Sequence, residues 1–293
     1  MTVGEIWARI ASLARYLTQT EVHTYAFSVA ANAILSLFPF IVMMYTVARK
    51  VFHSQSMEGV IGNMVRYFLP TGQNFVVKNM SLVANAHSGV RVVAVIMLLI
   101  SSNGIFLPLE VALNQVWGVT KNRSYLMNQW VSTGLALIVC TLALGSVAIT
   151  AFQRALLTSI FFGHVDNAVF HFVAAWLLQV TAGFLSVMLF FFTYWILPNR
   201  SLPWRAVLPS ALVTGLLWEL AKYLYMEALP WLDFRGVYGP FATTVGLMLW
   251  AFLTGLLLLA GAHYSATGYT LKLAHQADIE KGRAAQLAAD PGS

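Results

Sequence analysis

Hydrophobic residues dominate six long stretches of the chain, and shorter polar connections separate them. A helix needs about 20 consecutive apolar residues to cross the hydrocarbon core of a bilayer, and each stretch meets that length. The pattern therefore predicts an all-α polytopic membrane protein with six transmembrane helices. The predicted spans cover residues 25–47, 90–117, 130–152, 169–197, 206–226 and 241–264.

Three further segments are too polar to span. Residues 4–18 place Ile6, Ile10 and Leu13 on one helical face, which predicts a helix lying in the membrane interface. Residues 54–89, in the first outer loop, contain two short amphipathic patterns of the same kind. We therefore predict a six-helix membrane domain over residues 1–271. Residues 272–293 are predicted to form a cytoplasmic tail with one short helix.

The second predicted span carries polar residues on one helical stripe. Asn103, Glu110 and Asn114 are spaced at i, i+7 and i+11, so they lie on the same side of a helix. Pro108 cannot donate a backbone hydrogen bond to the carbonyl of Gly104, which predicts a hinge at this pair. The stripe indicates either a functional cavity or, alternatively, a carboxylate near the membrane surface with amides that join helices.

The first predicted span has a comparable pattern. Asn32 lies between Ser28 and Ser36 at intervals of four, and Pro39 is expected to bend the helix just beyond them. Small residues also recur at intervals of four. They allow close helix packing, and the pairs are Ala26 with Ala30 on span one and Ala251 with Gly255 on span six.

The composition fits this interpretation. Charged residues make up 10% of the chain, against about 25% in soluble domains. The net charge of +6 is explained by basic loops that face anionic lipid, so nucleic acid is not an expected partner. Lysine and arginine are frequent in the N-terminal segment, the second and fourth loops and the tail, which predicts that both termini are cytoplasmic. The first loop is also basic and disagrees with this rule.

This topology places several polar residues near the inner membrane surface. We expect Asn32, Glu110, Asn114 and His263 to form an inner polar cluster, in which a carboxylate near an imidazole could relay protons or hold a cationic group. The alternative is a set of independent interfacial anchors, because the rotation of each helix is unknown.

A second charged group falls in the outer half of span five. Glu219 and Lys222 are three residues apart, so we expect them to neutralise each other on one helix. The alternative is that Lys222 meets an anionic headgroup while Glu219 adjusts its charge.

The sequence contains little that predicts enzymatic chemistry. His164, Asp166 and His171 match no metal-binding motif, and Cys140 is the only cysteine, so we predict no metal site and no cofactor. No phosphate-binding loop, G-x-S-x-G or HExxH motif occurs. We expect that the protein is not an enzyme, and the isolated acidic residues make a ribonuclease an unfavoured interpretation.

Three segments carry a resemblance to a known family. They are SLFPF in span one, LPLEVALNQVWGV in span two and YGPFATTVGLMLWAFLTGLLLLAGAHYSA in span six. Over residues 20–270 the chain resembles the YihY/virulence factor BrkB family, whose members are often labelled ribonuclease BN-like. The resemblance implies a bacterial inner-membrane protein concerned with envelope integrity and with lipid or lipopolysaccharide handling. It supplies no agreed catalytic residues.

These observations lead to three candidate functions. The first is a transporter or flippase-like protein for a lipid or amphipathic substrate, with membrane lipids as partners, including an anionic lipid or a lipopolysaccharide precursor. The second is a scaffold for envelope assembly that does not transport. The third and weakest is an intramembrane enzyme. The pattern is also compatible with an oligomer.

Overall fold

A computed structural model describes residues 3–50, 59, 61–62, 105–119, 123–160 and 168–289. The regular structure in these ranges is helical. The helices, in chain order, are α1 (Val3–Leu17), α2 (Thr20–Lys50), α3 (Ile105–Val116), α4 (Tyr125–Ile160), α5 (Ala168–Ile196), α6 (Trp204–Leu232), α7 (Phe234–Tyr238) and α8 (Ala242–Ala289). A single 3₁₀ turn, Gly239–Phe241, joins α7 to α8.

The described part of the chain contains four helical segments that are long and apolar enough to cross a membrane. They are Leu126–Ile160, Ala168–Ile196, Trp204–Leu232 and Phe234–Thr270. The prediction of an all-α polytopic membrane protein is therefore confirmed. The count of six spans stays a prediction, since most of residues 51–104 lies outside the described residues. The two amphipathic helices predicted for 54–89 fall in the same region.

Two helix ends differ from the sequence prediction. Span five was predicted over residues 206–226, but α6 continues to Leu232 and includes Pro230. The helix ends where Asp233 adopts a left-handed conformation with φ of 34°, and that conformation interrupts the helical path. Pro230 has no backbone N–H to donate to the carbonyl of Met226, so the helix continues past it with one hydrogen bond fewer.

The last helix is much longer than the span predicted within it. Residues 272–289 continue α8 without a break, instead of forming a separate tail with one short helix. This segment is rich in alanine, leucine, lysine and glutamine, which favour helices, and it contains no proline. The boundary between a membrane domain and a tail at residue 271 stays a prediction.

Close packing of small residues joins α2 to α8. A Cβ atom placed on Gly255 would lie only 3.2 Å from the Cα atom of Ala26, and Ala26 and Ala30 are both fully buried. Ala26 and Gly255 each belong to one of the small-residue pairs predicted to allow close packing, and the structure places them against each other. A similar contact joins α5 to α6, where Gly215 packs against the backbone of Val187.

A buried tyrosine connects three helices in the centre of the bundle. The hydroxyl of Tyr194 on α5 donates to the carbonyl of Leu258 on α8 at 2.8 Å, and it lies 3.2 Å from the hydroxyl of Thr214 on α6. Gly261 leaves the room that this arrangement needs, since a side chain there would collide with both hydroxyls. The three helices therefore form one packed unit around this point.

The segments predicted to lie on one side of the membrane meet at one end of the bundle. We call it the Arg123 end, after the arginine that precedes α4 there. Here α1 packs on α8, and Trp117 at the end of α3 contacts Tyr269 edge to face. Ser265 of α8 donates to the carbonyl of Ala206 near the start of α6. The N-terminal segment, the second and fourth loops and the later part of α8 thus share this end.

Candidate functional site

Glu110 lies on α3 at the Arg123 end and is only 1% exposed. Its Oε1 atom is 3.6 Å from an Nη atom of Arg123, so the two charges form an ion pair without a short hydrogen bond. Both carboxylate oxygens are enclosed, and the Asn114 side chain, one turn further along α3, lies close to them. A buried carboxylate of this kind is costly unless an opposite charge compensates it, and Arg123 supplies that charge.

Arg123 is held in place by the end of α5. Its guanidinium donates to three successive backbone carbonyls, with N–O distances of 2.9 Å to Leu197, 3.1 Å to Pro198 and 3.4 Å to Ile196. The last carbonyls of a helix have no partner within the helix and carry the negative end of its dipole. Arg123 therefore caps α5 and neutralises Glu110 at the same time.

Two more hydrogen bonds fasten the end of α3 to the connection between α5 and α6. The backbone N–H of Asn199 donates to Oδ1 of Asn114 at 2.7 Å. The Arg200 side chain donates to the carbonyl of Trp117 at 3.2 Å. The end of α3, Arg123 and residues 196–200 consequently form one polar cluster, which we call the Arg123 cluster.

The four residues that the sequence predicts to form an inner polar cluster have different contact partners in the structure. Glu110 and Asn114 belong to the Arg123 cluster. His263 instead approaches the Ser12 hydroxyl at 3.0 Å and stacks on Tyr16, with ring centroids 4.3 Å apart. Asn32 donates to the carbonyl of Ser28 on its own helix. The expected grouping of His263 with Glu110 is thus not what the structure has, because α1 packs on α8 and provides the contacts of His263.

Tyr16 lies in α1, outside the candidate spans, and is buried beneath α8. Burial raises the pKa of Tyr16 to about 12, so its hydroxyl stays protonated at physiological pH. The contact between α1 and α8 is therefore formed by a neutral ring stacked on an imidazole. Arg9 adds a second contact, since its guanidinium lies 5.5 Å from the centre of the Tyr264 ring.

The predicted hinge residues are only partly described. Asn103 and Gly104 lie outside the described residues, so the break expected at Gly104 and Pro108 stays a prediction. Pro108 itself lies in α3. Pro39 lies within α2, whose helical backbone continues from Thr20 to Lys50. The bend expected there also stays a prediction.

Glu219 and Lys222 form the ion pair that their spacing indicates. The Lys222 Nζ atom lies 2.6 Å from Oε2 of Glu219, and Ser186 on α5 donates to Oε1 at 3.1 Å. Lys222 is 4% exposed, whereas the Glu219 side chain is 20% exposed. The Lys222 ammonium also lies 5.0 Å from the centre of the Trp218 ring. We call these four residues the Lys222 cluster.

Sequence reasoning missed the roles of Arg123 and Ser186. Arg123 was counted only toward the charge of a loop, and Ser186 was not singled out. The available signal for Arg123 was a basic residue shortly after a span that carries a carboxylate, in a loop too short to leave that end of the bundle. Ser186 gave no comparable signal, because a serine in an apolar helix usually bonds its own backbone.

Metal ligation finds no support among the residues that the structure covers, which contain no group of three suitable side chains. His164 and Asp166 lie outside the described residues, so the statement that this loop holds no metal stays a prediction. The chemistry that the two clusters can provide is the binding and neutralisation of charge.

Comparison with known proteins gives one family. The profile described as Virulence factor BrkB matches residues 13–286. A UPF0761 membrane protein of Acinetobacter baylyi is 28% identical over 66% of this chain, and one of Pseudoalteromonas translucida is 27% identical over 68%. The matched regions span 45% and 65% of those two relatives. The Bacillus subtilis protein named ribonuclease-like protein YfkH is 25% identical over 80% of this chain and 85% of its own length. No solved structure matches the chain.

Proposed function

The chain belongs to the virulence factor BrkB family of membrane proteins, and from this we propose that it moves a lipid or another amphipathic substrate across the bacterial inner membrane. The observation that carries the proposal is the Lys222 cluster. Ionisable residues within membrane spans are rare and usually mark a pathway for a substrate or an ion. Lys222 is such a residue, near the middle of a candidate span.

The surroundings of the cluster favour an amphipathic substrate. Leu216, Leu220 and Tyr223 are exposed on the same helix, so the partly exposed Glu219 side chain interrupts an apolar surface. A substrate with acyl chains and a charged headgroup matches an apolar face with a charged centre. An anionic headgroup, such as that of an anionic lipid or a lipopolysaccharide precursor, would take the place of Glu219 as the partner of the Lys222 ammonium.

Exposed tryptophans support the position of α5 in a bilayer. Trp176 and Trp195 are both exposed, and the rise of the helix between them is about 28 Å, which is close to the thickness of the hydrocarbon core. Tryptophan is enriched at both membrane interfaces. The rings would therefore mark the two boundaries of the bilayer along this helix.

The orientation follows from the Arg123 end, which we infer to be cytoplasmic because it gathers Arg9, Arg15, Arg123, Arg200 and Arg205. Single cysteines should be labelled by a membrane-impermeant reagent from outside at positions 56 and 167, but not at 124 or 293. This experiment uses a chain in which Cys140 has been replaced. Labelling at position 124 from outside would reverse the assignment.

Reconstitution into liposomes tests the proposed activity. Vesicles of phosphatidylethanolamine and phosphatidylglycerol that carry a fluorescent lipid should exchange it between leaflets faster with the protein than without it. We expect Lys222→Met to slow the exchange about tenfold or more, since the loss of even 1.4 kcal/mol of interaction in a rate-limiting step has that effect. The matched control is Glu227→Gln, which changes an exposed residue. If the wild-type vesicles behave like protein-free vesicles, lipid movement is not the activity.

A second candidate function is a scaffold for envelope assembly that does not transport. The observation in its favour is the Arg123 cluster, in which Glu110 and its cation are both enclosed and several elements are fastened together. A scaffold would keep its effect on envelope integrity when Lys222 is replaced by Met. A transporter would lose that effect, so complementation of a deletion strain with this variant distinguishes the two. Neither candidate includes ribonuclease activity.

A further inference from the structure

The guanidinium group of Arg9 lies against α8 with its flat face and not with its donor edge. A Cβ atom placed on Gly268 would be 3.0 Å from one Nη atom, and 3.3 Å from both Cζ and the other Nη atom. Because these distances are nearly equal, Gly268 lies over the plane of the group. The centre of the Tyr264 ring is 5.5 Å from Cζ. The N–H donors of a guanidinium point along its plane, so the contact with Gly268 leaves them unused.

The donors of Arg9 have no acceptor within the described part of the chain. The half-buried side chain has its Nε atom enclosed without a hydrogen-bond partner, whereas the two Nη atoms are not among the enclosed atoms. The described carboxylates at this end of the bundle are engaged elsewhere, Glu21 with Gln115 and Glu110 with Arg123. A half-buried cation without an acidic partner is best compensated by an anion from outside the protein.

The next two turns of α1 fix the position of Arg9. The Ser12 hydroxyl lies 3.0 Å from Nε2 of His263, and the Tyr16 ring stacks on the same imidazole with centroids 4.3 Å apart. Arg9, Ser12 and Tyr16 are spaced at i, i+3 and i+7, so they share the face of α1 that packs on α8. The guanidinium is therefore in place before a ligand arrives, which lowers the entropic cost of binding.

Another side of α1 carries exposed apolar residues. Trp7 is 72% exposed and Ile10 is 50% exposed, and the two are three residues apart on one stripe. Tryptophan is enriched at membrane interfaces, and a helix with such a stripe lies at the boundary between headgroups and acyl chains. The phosphate groups of phospholipids are found at this level of a bilayer. The helix that carries Arg9 therefore has the features of one that meets lipid headgroups.

We propose that Arg9 binds a phosphate group at the junction of α1 and α8, and that an anionic phospholipid presents it. The planar donors of a guanidinium match two oxygens of a phosphate, and the apolar stripe of α1 contacts the adjoining acyl chains. This site is separate from the Lys222 cluster and does not depend on lipid movement. Dissolved phosphate offers the same oxygens, so the experiment compares the two sources.

Chemical modification of the purified full-length protein in detergent tests the site without a variant. Phenylglyoxal reacts with arginine, and mass spectrometry measures the extent at each position. Phosphatidylglycerol should protect Arg9 severalfold and leave Arg15, which is exposed on the same helix, unprotected. Diacylglycerol, which has acyl chains and no phosphate, should protect neither. Equal protection by inorganic phosphate at the same concentration would keep the phosphate site and reject the lipid. Protection of both arginines alike, or of neither, would overturn the proposal.

Native mass spectrometry of variants measures the affinity for phosphatidylglycerol. Arg9→Gln should weaken the tightest binding step about tenfold, the effect of losing a hydrogen-bonded ionic contact. The matched control is Arg15→Gln, which removes the same charge and should keep the wild-type affinity. Gly268→Ala keeps every charge but places a methyl group 3.0 Å from an Nη atom, so it should also weaken binding. Equal losses in the two arginine variants, or wild-type affinity in Gly268→Ala, would contradict the site.

The same measurement on Glu5→Gln tests a competing partner within the protein. Glu5 is the acidic residue nearest to Arg9 in the sequence, and a pair four residues apart on a helix can form an ion pair. If the guanidinium is available to phosphate, Glu5→Gln should bind phosphatidylglycerol at least as tightly as the wild type. A loss of affinity similar to that of Arg9→Gln would show that Arg9 acts with Glu5 and would overturn the proposal.

Discussion

The Arg123 cluster and the Lys222 cluster neutralise buried charge in different ways. Lys222 is paired at 2.6 Å with a residue on its own helix, and the Glu219 side chain is partly exposed. Glu110 is paired at 3.6 Å with a residue outside its helix, and the arginine also caps a third element. The local pair can survive a shift between helices, whereas the non-local pair depends on how α3, α5 and the segment before α4 are assembled. We therefore expect the Arg123 cluster to control assembly and the Lys222 cluster to be the more tolerant of change.

The largest effect should come from Arg123→Ala. It removes the cap of α5 and leaves Glu110 buried without a counter-charge, so we expect a loss of about 3–5 kcal/mol in the free energy of unfolding. Thermal unfolding of the purified protein in detergent measures this. The double variant Glu110→Gln/Arg123→Ala should recover part of the loss. A single variant as stable as the wild type would mean that the cluster does not hold the bundle together.

Replacement of Lys222 by Met should cost less, about 2 kcal/mol. Methionine has a side chain of similar length to lysine but no charge. The Glu219 carboxylate that remains is partly exposed, so the penalty for leaving it unpaired is smaller than at Glu110. The same unfolding measurement gives the value. A loss as large as that of Arg123→Ala would contradict the distinction between the two clusters.

The sequence could predict the features that depend on the geometry of a single helix, but not the contacts that depend on how the helices are packed together. Glu219 and Lys222 are three residues apart on one helix, so helical geometry alone brings them together. Ala26 and Gly255 could be expected to mediate close packing because small residues allow helix backbones to approach. These inferences need no knowledge of how one helix is rotated against another.

The contacts of Glu110 and His263 depend on that rotation. The predicted order of the spans placed Glu110 and His263 toward the same end of the bundle, but it could not distinguish Arg123 from His263 as the partner of Glu110. The position of α1 decides the matter, because Ser12 and Tyr16 occupy the face of His263. An interfacial helix was predicted for residues 4–18, yet the sequence does not tell which span it covers.

A milder change at the Arg123 cluster separates charge from shape. Glu110→Gln keeps the length of the side chain and removes the charge, while Arg123 retains its three carbonyl partners. We expect the protein to fold with a loss of about 1–2 kcal/mol, since only the ion-pair contribution disappears. Lipid exchange in liposomes should also decrease. A variant that matches the wild type in both stability and exchange would exclude a role for this carboxylate.

The smallest expected effect concerns Ser186, which joins α5 to the Lys222 cluster. Its hydroxyl approaches both the carbonyl of Ala182 at 3.0 Å and Glu219 at 3.1 Å. Ser159 on α4 makes the first kind of bond, to the carbonyl of Ala155 on its own helix, and its side chain is exposed. Ser186→Ala should therefore destabilise the protein by about 1 kcal/mol more than Ser159→Ala, the value of one hydrogen bond.

The comparison of these two serine variants tests whether the Lys222 cluster depends on the packing of α5 against α6. Because both substitutions remove a hydroxyl bonded to the preceding turn, their difference isolates the contact with Glu219 and the burial of that hydroxyl. If Ser186→Ala also slows lipid exchange, then the carboxylate must be held by α5 to act, and the Lys222 cluster depends on assembly too. If exchange is unchanged while stability falls, the pair on α6 is sufficient by itself and the cluster is local in function as well as in structure.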